Sequence, residues 1–69
     1  MVTSNMTLST TTDADFWAGD ILEGTEYGDN EKRLLSDWIW NNKPDLDCTY
    51  ENHPISTMDF NDLIEIIEQ

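Results

Sequence analysis

Apolar residues recur along this chain in three blocks at helical spacing, separated by polar stretches rich in turn formers. In the first block Ala14, Trp17, Ala18, Ile21 and Leu22 share one side of a helix at 3.6 residues per turn. Thr12 caps it, with Asp15 three residues on as capping-box partner, and Gly24 is placed to end it. The pattern predicts a helix over residues 13–23, in which Gly19 costs about 1 kcal/mol relative to Ala. Residues 24–30, GTEYGDN, predict a loop. Asp29 or Asn30 then caps a second helix over residues 31–42, with Leu34, Leu35, Trp38 and Ile39 as its core stripe. Asn41, Asn42, Lys43 and Pro44 stop it, and Lys43 suits the negative end of the helix dipole. The third helix is predicted over residues 56–68. Ser56 and Asp59 form its capping box, Ile55 and Phe60 its hydrophobic staple, and Phe60, Leu63, Ile64 and Ile67 its apolar face.

Two stretches follow a period of two instead. Leu46, Cys48 and Tyr50 alternate with Asp47, Thr49 and Glu51, and Val2, Met6 and Leu8 alternate with Ser, Thr and Asn. The expected fold is mainly α, three short helices joined by an extended connector. The alternative is a small α+β fold in which strands near residues 2–9 and 46–51 pair. Residues 1–12 are either a Ser/Thr-rich leader or an edge strand, and residues 13–69 one small acidic helical domain. A domain of 69 residues buries only about 60% of its unfolded surface. The apolar faces of the second and third helices exceed what so small a core needs, which is compatible with a homodimer.

Charge changes the picture most. Fifteen acids face three bases, Lys32, Arg33 and Lys43, for a net charge of −12. Direct nucleic-acid binding needs a Lys/Arg patch and is excluded as the main activity. Docking on an anionic membrane is disfavoured. No run approaches the roughly 18 apolar residues of a membrane span, and MVTSNMTLSTTT lacks the features of a signal peptide, so a cytoplasmic protein is expected. Yet 38% of residues are hydrophobic and three are Trp, too apolar a composition for a disordered acidic tail. Carboxylate repulsion is expected to make the fold tighter at modest salt or mildly acidic pH.

Candidate chemistry is sparse. Cys48 and His53, each unique in the chain, point to opposite faces of an extended segment, against a Cys–His dyad. The simpler reading makes Cys48 a small core hydrophobe and His53 a loop residue before Pro54. Paired carboxylates are abundant, but general acid–base work needs one desolvated in a pocket, and the chain has little material for one. Asp45, Asp47, Thr49 and Glu51 imitate the first half of an EF-hand loop, which then fails: Tyr50 stands where glycine is needed and Ser56 where the bidentate Glu belongs. No enzyme, cofactor or metal site is expected.

The surface carries more signal. Phe16 projects opposite the apolar face of the first helix, and Trp40 lies roughly 170 degrees from the centre of the second helix's stripe. Exposed large aromatics mark binding hot spots. The competing reading packs Trp40 beneath the N-terminal segment or residues 45–54. Asp59, Asp62, Glu65 and Glu68 place about one carboxylate per 4.5 Å of helix axis, from a rise of about 1.5 Å per residue. Duplex DNA places one phosphate per about 3.4 Å on each strand. Asp20, Glu23, Glu26, Asp29 and Glu31 form a second acidic run. Such a surface can occupy a basic groove built for nucleic acid, guided there by long-range attraction. The competing reading is a solvated face that confers solubility.

In length, charge, lack of catalytic motifs and acid-studded helices such as Asp59-Phe60-Asn61-Asp62-Leu63-Ile64-Glu65, the chain resembles a class of small acidic inhibitors. Bacteriophages and mobile elements use such proteins against host defence. They include anti-CRISPR proteins, anti-restriction DNA mimics and inhibitors of BREX-type exclusion. The resemblance implies a non-enzymatic cytoplasmic inhibitor, often dimeric, of a nucleic-acid-processing defence protein with a basic surface. No family motif is present, so no residue role is carried over. On the residues themselves, the expected partner-binding set is Phe16, Asp20, Glu23, Glu26, Trp40, Asp59, Asp62, Glu65 and Glu68. The alternatives are an inhibitor or adaptor anchored by Phe16 and Trp40 without mimicry, and an antitoxin or immunity protein against a basic toxin.

Overall fold

Where each helix starts is decided by a carboxylate three residues inside it, and in each case the choice of cap shifts the boundary. The computed structural model describes residues 7–68. The first helix, α1 (Thr11–Ile21), is capped by Thr10. The Thr10 hydroxyl accepts the Asp13 N–H at 3.2 Å, and the Asp13 carboxylate accepts the N–H groups of Thr10 and Ser9, each at 3.0 Å. The run Thr10-Thr11-Thr12 offers the T-x-x-D pattern in two registers. The earlier one wins because Asp13 satisfies two backbone donors there. This corrects the expected Thr12–Asp15 cap and frees Asp15 for another use. The helix closes at Leu22, whose carbonyl accepts the Thr25 N–H at 3.1 Å across a turn. Gly24 holds that turn at φ 81°, a backbone region that favours glycine.

The second helix, α2 (Asp29–Asn41), starts at Gly28 rather than at Asp29 or Asn30. The Glu31 carboxylate accepts the Gly28 N–H at 3.1 Å. Helices α1 and α2 pack as an antiparallel hairpin. Ser36 Oγ donates to Asp15 Oδ1 at 2.6 Å, and one turn away Gly19 faces the alkyl stem of Lys32. The polar bond turns α2 so that Leu35, Ser36 and Ile39 are buried, while Trp38 is half-buried and Leu34 exposed. The expected stripe of Leu34, Leu35, Trp38 and Ile39 is corrected accordingly.

The third helix, α3 (Phe60–Ile67), is shorter than expected. Residues Pro54–Thr57 form a 3-10 turn instead, and Ser56 donates its hydroxyl to the His53 carbonyl at 2.8 Å. The cap is Asp59, paired reciprocally with Asp62. Leu63, Ile66 and Ile67 are buried, Ile64 is half-buried and Phe60 is exposed. The expected face is therefore rotated, and Phe60 is not a staple covered by the core.

Two short strands complete the fold. β1 (Thr7–Leu8) pairs antiparallel with β2 (Cys48–Thr49), Thr7 opposite Thr49 and Leu8 opposite Cys48. Asp47, at φ 59°, turns the chain into β2; its N–H reaches the Leu8 carbonyl at 3.0 Å and its carboxylate accepts the Ser9 hydroxyl. Asp is among the few residues that adopt this left-handed conformation readily. The fold is mainly α with a two-strand ladder, so features of both expected architectures coexist. Leu8 is fully buried, and residues 7–12 belong to the domain rather than to a leader. The rest of the expected strand over residues 2–9 falls largely outside the described residues. The core joins Leu8, Ala14, Trp17, Ala18 and Leu22 to Leu35, Ile39, Cys48 and Ile55, and to the buried residues of α3. Among the described residues, no helix is long and apolar enough to cross a membrane.

Candidate functional site

The connector between α2 and α3 places one polar ring at the centre of the molecule. His53 is 1% exposed and lies between Trp17, ring centroids 5.7 Å apart and edge-on, and Trp38 at 6.0 Å. Its Nδ1 accepts the Ile55 N–H at 3.0 Å. That assigns the proton of the neutral ring to Nε2, which donates to the Ile39 carbonyl at 2.8 Å. Burial pushes the His53 pKa below its ordinary value, against the opposing pull of the Ile39 carbonyl. His53 is a loop residue before Pro54, as expected, but a buried one that closes the C-terminal end of α2. Carbonyls that the helix leaves open there are taken by His53 on Ile39 and by the Lys43 ammonium on Trp40, while the Asn42 side-chain amide adds a second donor to the Trp38 carbonyl. Sequence reasoning missed this role, because the bond joins residues 14 apart through a connector with no helical period.

Cys48 is buried, as expected of a small core residue, and burial pushes its thiol pKa up, which suppresses the thiolate. Among the described residues, no group of three or more His, Cys, Asp or Glu side chains is placed to hold a metal ion.

The two aromatic candidates separate. Phe16 is 61% exposed on the outer side of α1, where the helical spacing puts it. Trp40 is half-buried and packs against the core, with the Lys43 ammonium 3.9 Å from its ring centroid. It is not a free anchor, and its expected exposure is corrected.

The carboxylates form the outer shell. None of the fifteen acids is buried; Asp13, Asp20 and Glu31 are half-buried and the other twelve exposed. Some have internal duties: Asp13, Glu31, Asp59 and Asp62 cap helices, Asp15 holds Ser36, and Asp47 holds Ser9. Of the expected binding set, the carboxylates of Asp20, Glu23, Glu26, Glu65 and Glu68 accept no hydrogen bond among the described residues, whereas those of Asp59 and Asp62 do double service.

Three concave surfaces gather these groups. A groove of about 280 Å³ between α1 and α2 is lined by Phe16, Thr12, Gly19, Asp15, Asp20 and Lys32. A polar hollow of about 270 Å³ beside it is lined by Asp15, Asp29, Lys32 and Arg33. A wider cleft, about 530 Å³, lies between the α1–α2 loop and the start of α3, lined by Gly24, Thr25, Glu26, Tyr27, Glu31 and Phe60. The structure thus brings Phe16 together with Asp20, and Glu26 together with Phe60. Phe60 was missed as a surface residue because its spacing also fits the face of α3. The chain matches no protein-family model, no curated protein and no solved structure.

Proposed function

We propose that this protein is a non-enzymatic inhibitor that occupies the basic, nucleic-acid-binding surface of a host defence or DNA-processing protein, its carboxylates standing in for phosphates. The observation that carries the reading is the carboxylate shell. Fifteen acids, none buried, surround a folded core with three bases, and one base, Lys43, is spent on Trp40 and a helix end. Self-repulsion of this size costs stability, and a partner of opposite charge recovers it while steering the encounter. The test uses acids free of capping duty. Glu23→Gln, Glu26→Gln, Glu65→Gln and Glu68→Gln should each weaken binding by about 0.2–1 kcal/mol and act cumulatively. Capture of a nuclease, helicase or defence subunit from host lysate, abolished by excess duplex DNA and weakened in the fourfold variant, is the expected result. Capture indifferent to both DNA and the four neutralisations would remove the proposal.

A second reading is favoured by the exposure of Phe16. In it the partner is held by an aromatic anchor in the α1–α2 groove, and the acids set only the association rate. Phe16→Ala would then abolish capture, and duplex DNA would not compete.

A further inference from the structure

We infer that the cleft between the α1–α2 loop and the start of α3 is a receptor for an arginine side chain of a basic partner. The inference rests on the proposed function only in supposing that the partner is basic. Its grounds are local. The two concave surfaces beside α1 and α2 include their own cations, Lys32 in one and Lys32 with Arg33 in the other. The cleft has none: Glu26 and Glu31 line it without a base, beside the rings of Tyr27 and Phe60. Its charge is uncompensated and calls for a cation from outside.

The form of the lining selects the cation. Phe60 is 49% exposed although it is the first residue of an otherwise amphipathic helix, so the core does not account for it. A guanidinium is planar, weakly hydrated and stacks on aromatic faces while its fork of donors reaches carboxylates. An ammonium is compact, strongly hydrated and gains less from such walls. One of the two acids is also held in place. Glu31 Oε2 is anchored by the Gly28 N–H at 3.1 Å, which leaves Oε1 for a ligand. The Thr25 hydroxyl donates to the Leu22 carbonyl at 2.6 Å and accepts the Tyr27 N–H at 3.3 Å, which fixes the loop that presents Tyr27. That lowers the ordering cost of binding at Glu31 and at the loop backbone.

The test titrates two blocked tripeptides, acetyl-Gly-Arg-Gly-amide and acetyl-Gly-Lys-Gly-amide, into the whole ¹⁵N-labelled protein and follows the backbone amides. Each carries a single positive charge, so attraction to the net charge of the protein is equal for both. The arginine peptide should shift the amides of residues 24–28, Glu31 and Phe60, and bind about two- to fivefold tighter than the lysine peptide. Phe60→Leu, which keeps an apolar side chain but removes the ring, should erase that preference. Glu26→Gln should weaken both peptides. Equal binding of the two peptides, shifts centred on Glu65 and Glu68, no shifts at all, or a preference unchanged by Phe60→Leu would each overturn the assignment. The outcome is separable from the lysate experiment. A failed titration beside DNA-sensitive capture removes the cleft and keeps the acidic face; a successful one beside DNA-indifferent capture does the reverse.

Discussion

Around His53 and around Phe60 the same chain treats aromatic rings in opposite ways. At His53, Trp17 and Trp38 close on a neutral imidazole, Tyr50 packs on Trp17 at 5.6 Å, and both ring nitrogens are bonded to backbone. No carboxylate takes part. At Phe60 a ring stands half in solvent beside Glu26 and Glu31, and at Phe16 another stands beside Asp15 and Asp20. The first region spends aromatic area on cohesion. The second leaves it uncovered beside carboxylates, which the stability of an isolated small domain does not require. Stability and recognition are therefore expected to respond to different substitutions.

The largest effect expected is at His53. His53→Ala opens a cavity and strands the Ile39 carbonyl and the Ile55 N–H, which together cost about 3 kcal/mol or more. For a domain of this size that lowers Tm by about 12 °C or more. His53→Leu keeps much of the volume but strands the same two groups, and should also be strongly destabilised. A thermal melt of either variant close to that of the parent would show that the ring is not what joins the connector to α2.

This junction also explains which parts of the fold were legible in sequence. The three helices were, because Trp17, Leu35 and Leu63 sit in runs that repeat at helical spacing. Their starts were not, because Thr10-x-x-Asp13 and Thr12-x-x-Asp15 satisfy one rule equally, as do Ser56-x-x-Asp59 and Asp59-x-x-Asp62. Bonds from residues just outside each helix broke those ties, the Ser9 N–H on Asp13 and the Ser56 hydroxyl on the His53 carbonyl. The exposure of Phe16 was legible from its angle alone. Trp40 and Phe60 were not, since angle on an isolated helix does not say what a neighbouring segment covers.

A smaller effect follows from titration. The folded pKa of His53 lies below its unfolded value, so the unfolded chain takes up the proton first as pH falls. The contribution of the neutral ring is complete above the unfolded pKa of about 6.5 and is lost as pH falls from there toward the folded value. Tm should therefore decline between about pH 7 and 5.5. This opposes the expectation of a tighter fold at mildly acidic pH, and it spares the one for salt. Adding salt at pH 7.5 should raise Tm by screening carboxylate repulsion. Scanning calorimetry across both variables checks the pair. A flat profile from pH 7 to 5.5 would place His53 in contact with water.

The smallest effects on stability are expected where the effects on binding are greatest. Phe16→Ser and Phe60→Ser should each leave stability within about 0.5 kcal/mol of the parent. Any loss of partner capture by such a variant would then be a loss of recognition. A large fall in Tm for either would erase the distinction between the two regions.

The ladder of two residues per strand has a consequence for the order in which the molecule takes shape. The α1–α2 hairpin is made of contacts near in sequence, and such contacts close early at low entropic cost. Leu8 is different: it is wholly enclosed, yet the residue opposite it, Cys48, lies beyond both helices of the hairpin. On a growing chain Leu8 precedes the whole hairpin, and the partner that shelters it follows the hairpin. Until Asp47 has turned and taken the Ser9 hydroxyl, the floor beneath Trp17 lacks a side. The shortest element of the fold thus closes its longest chain loop and acts as its latch.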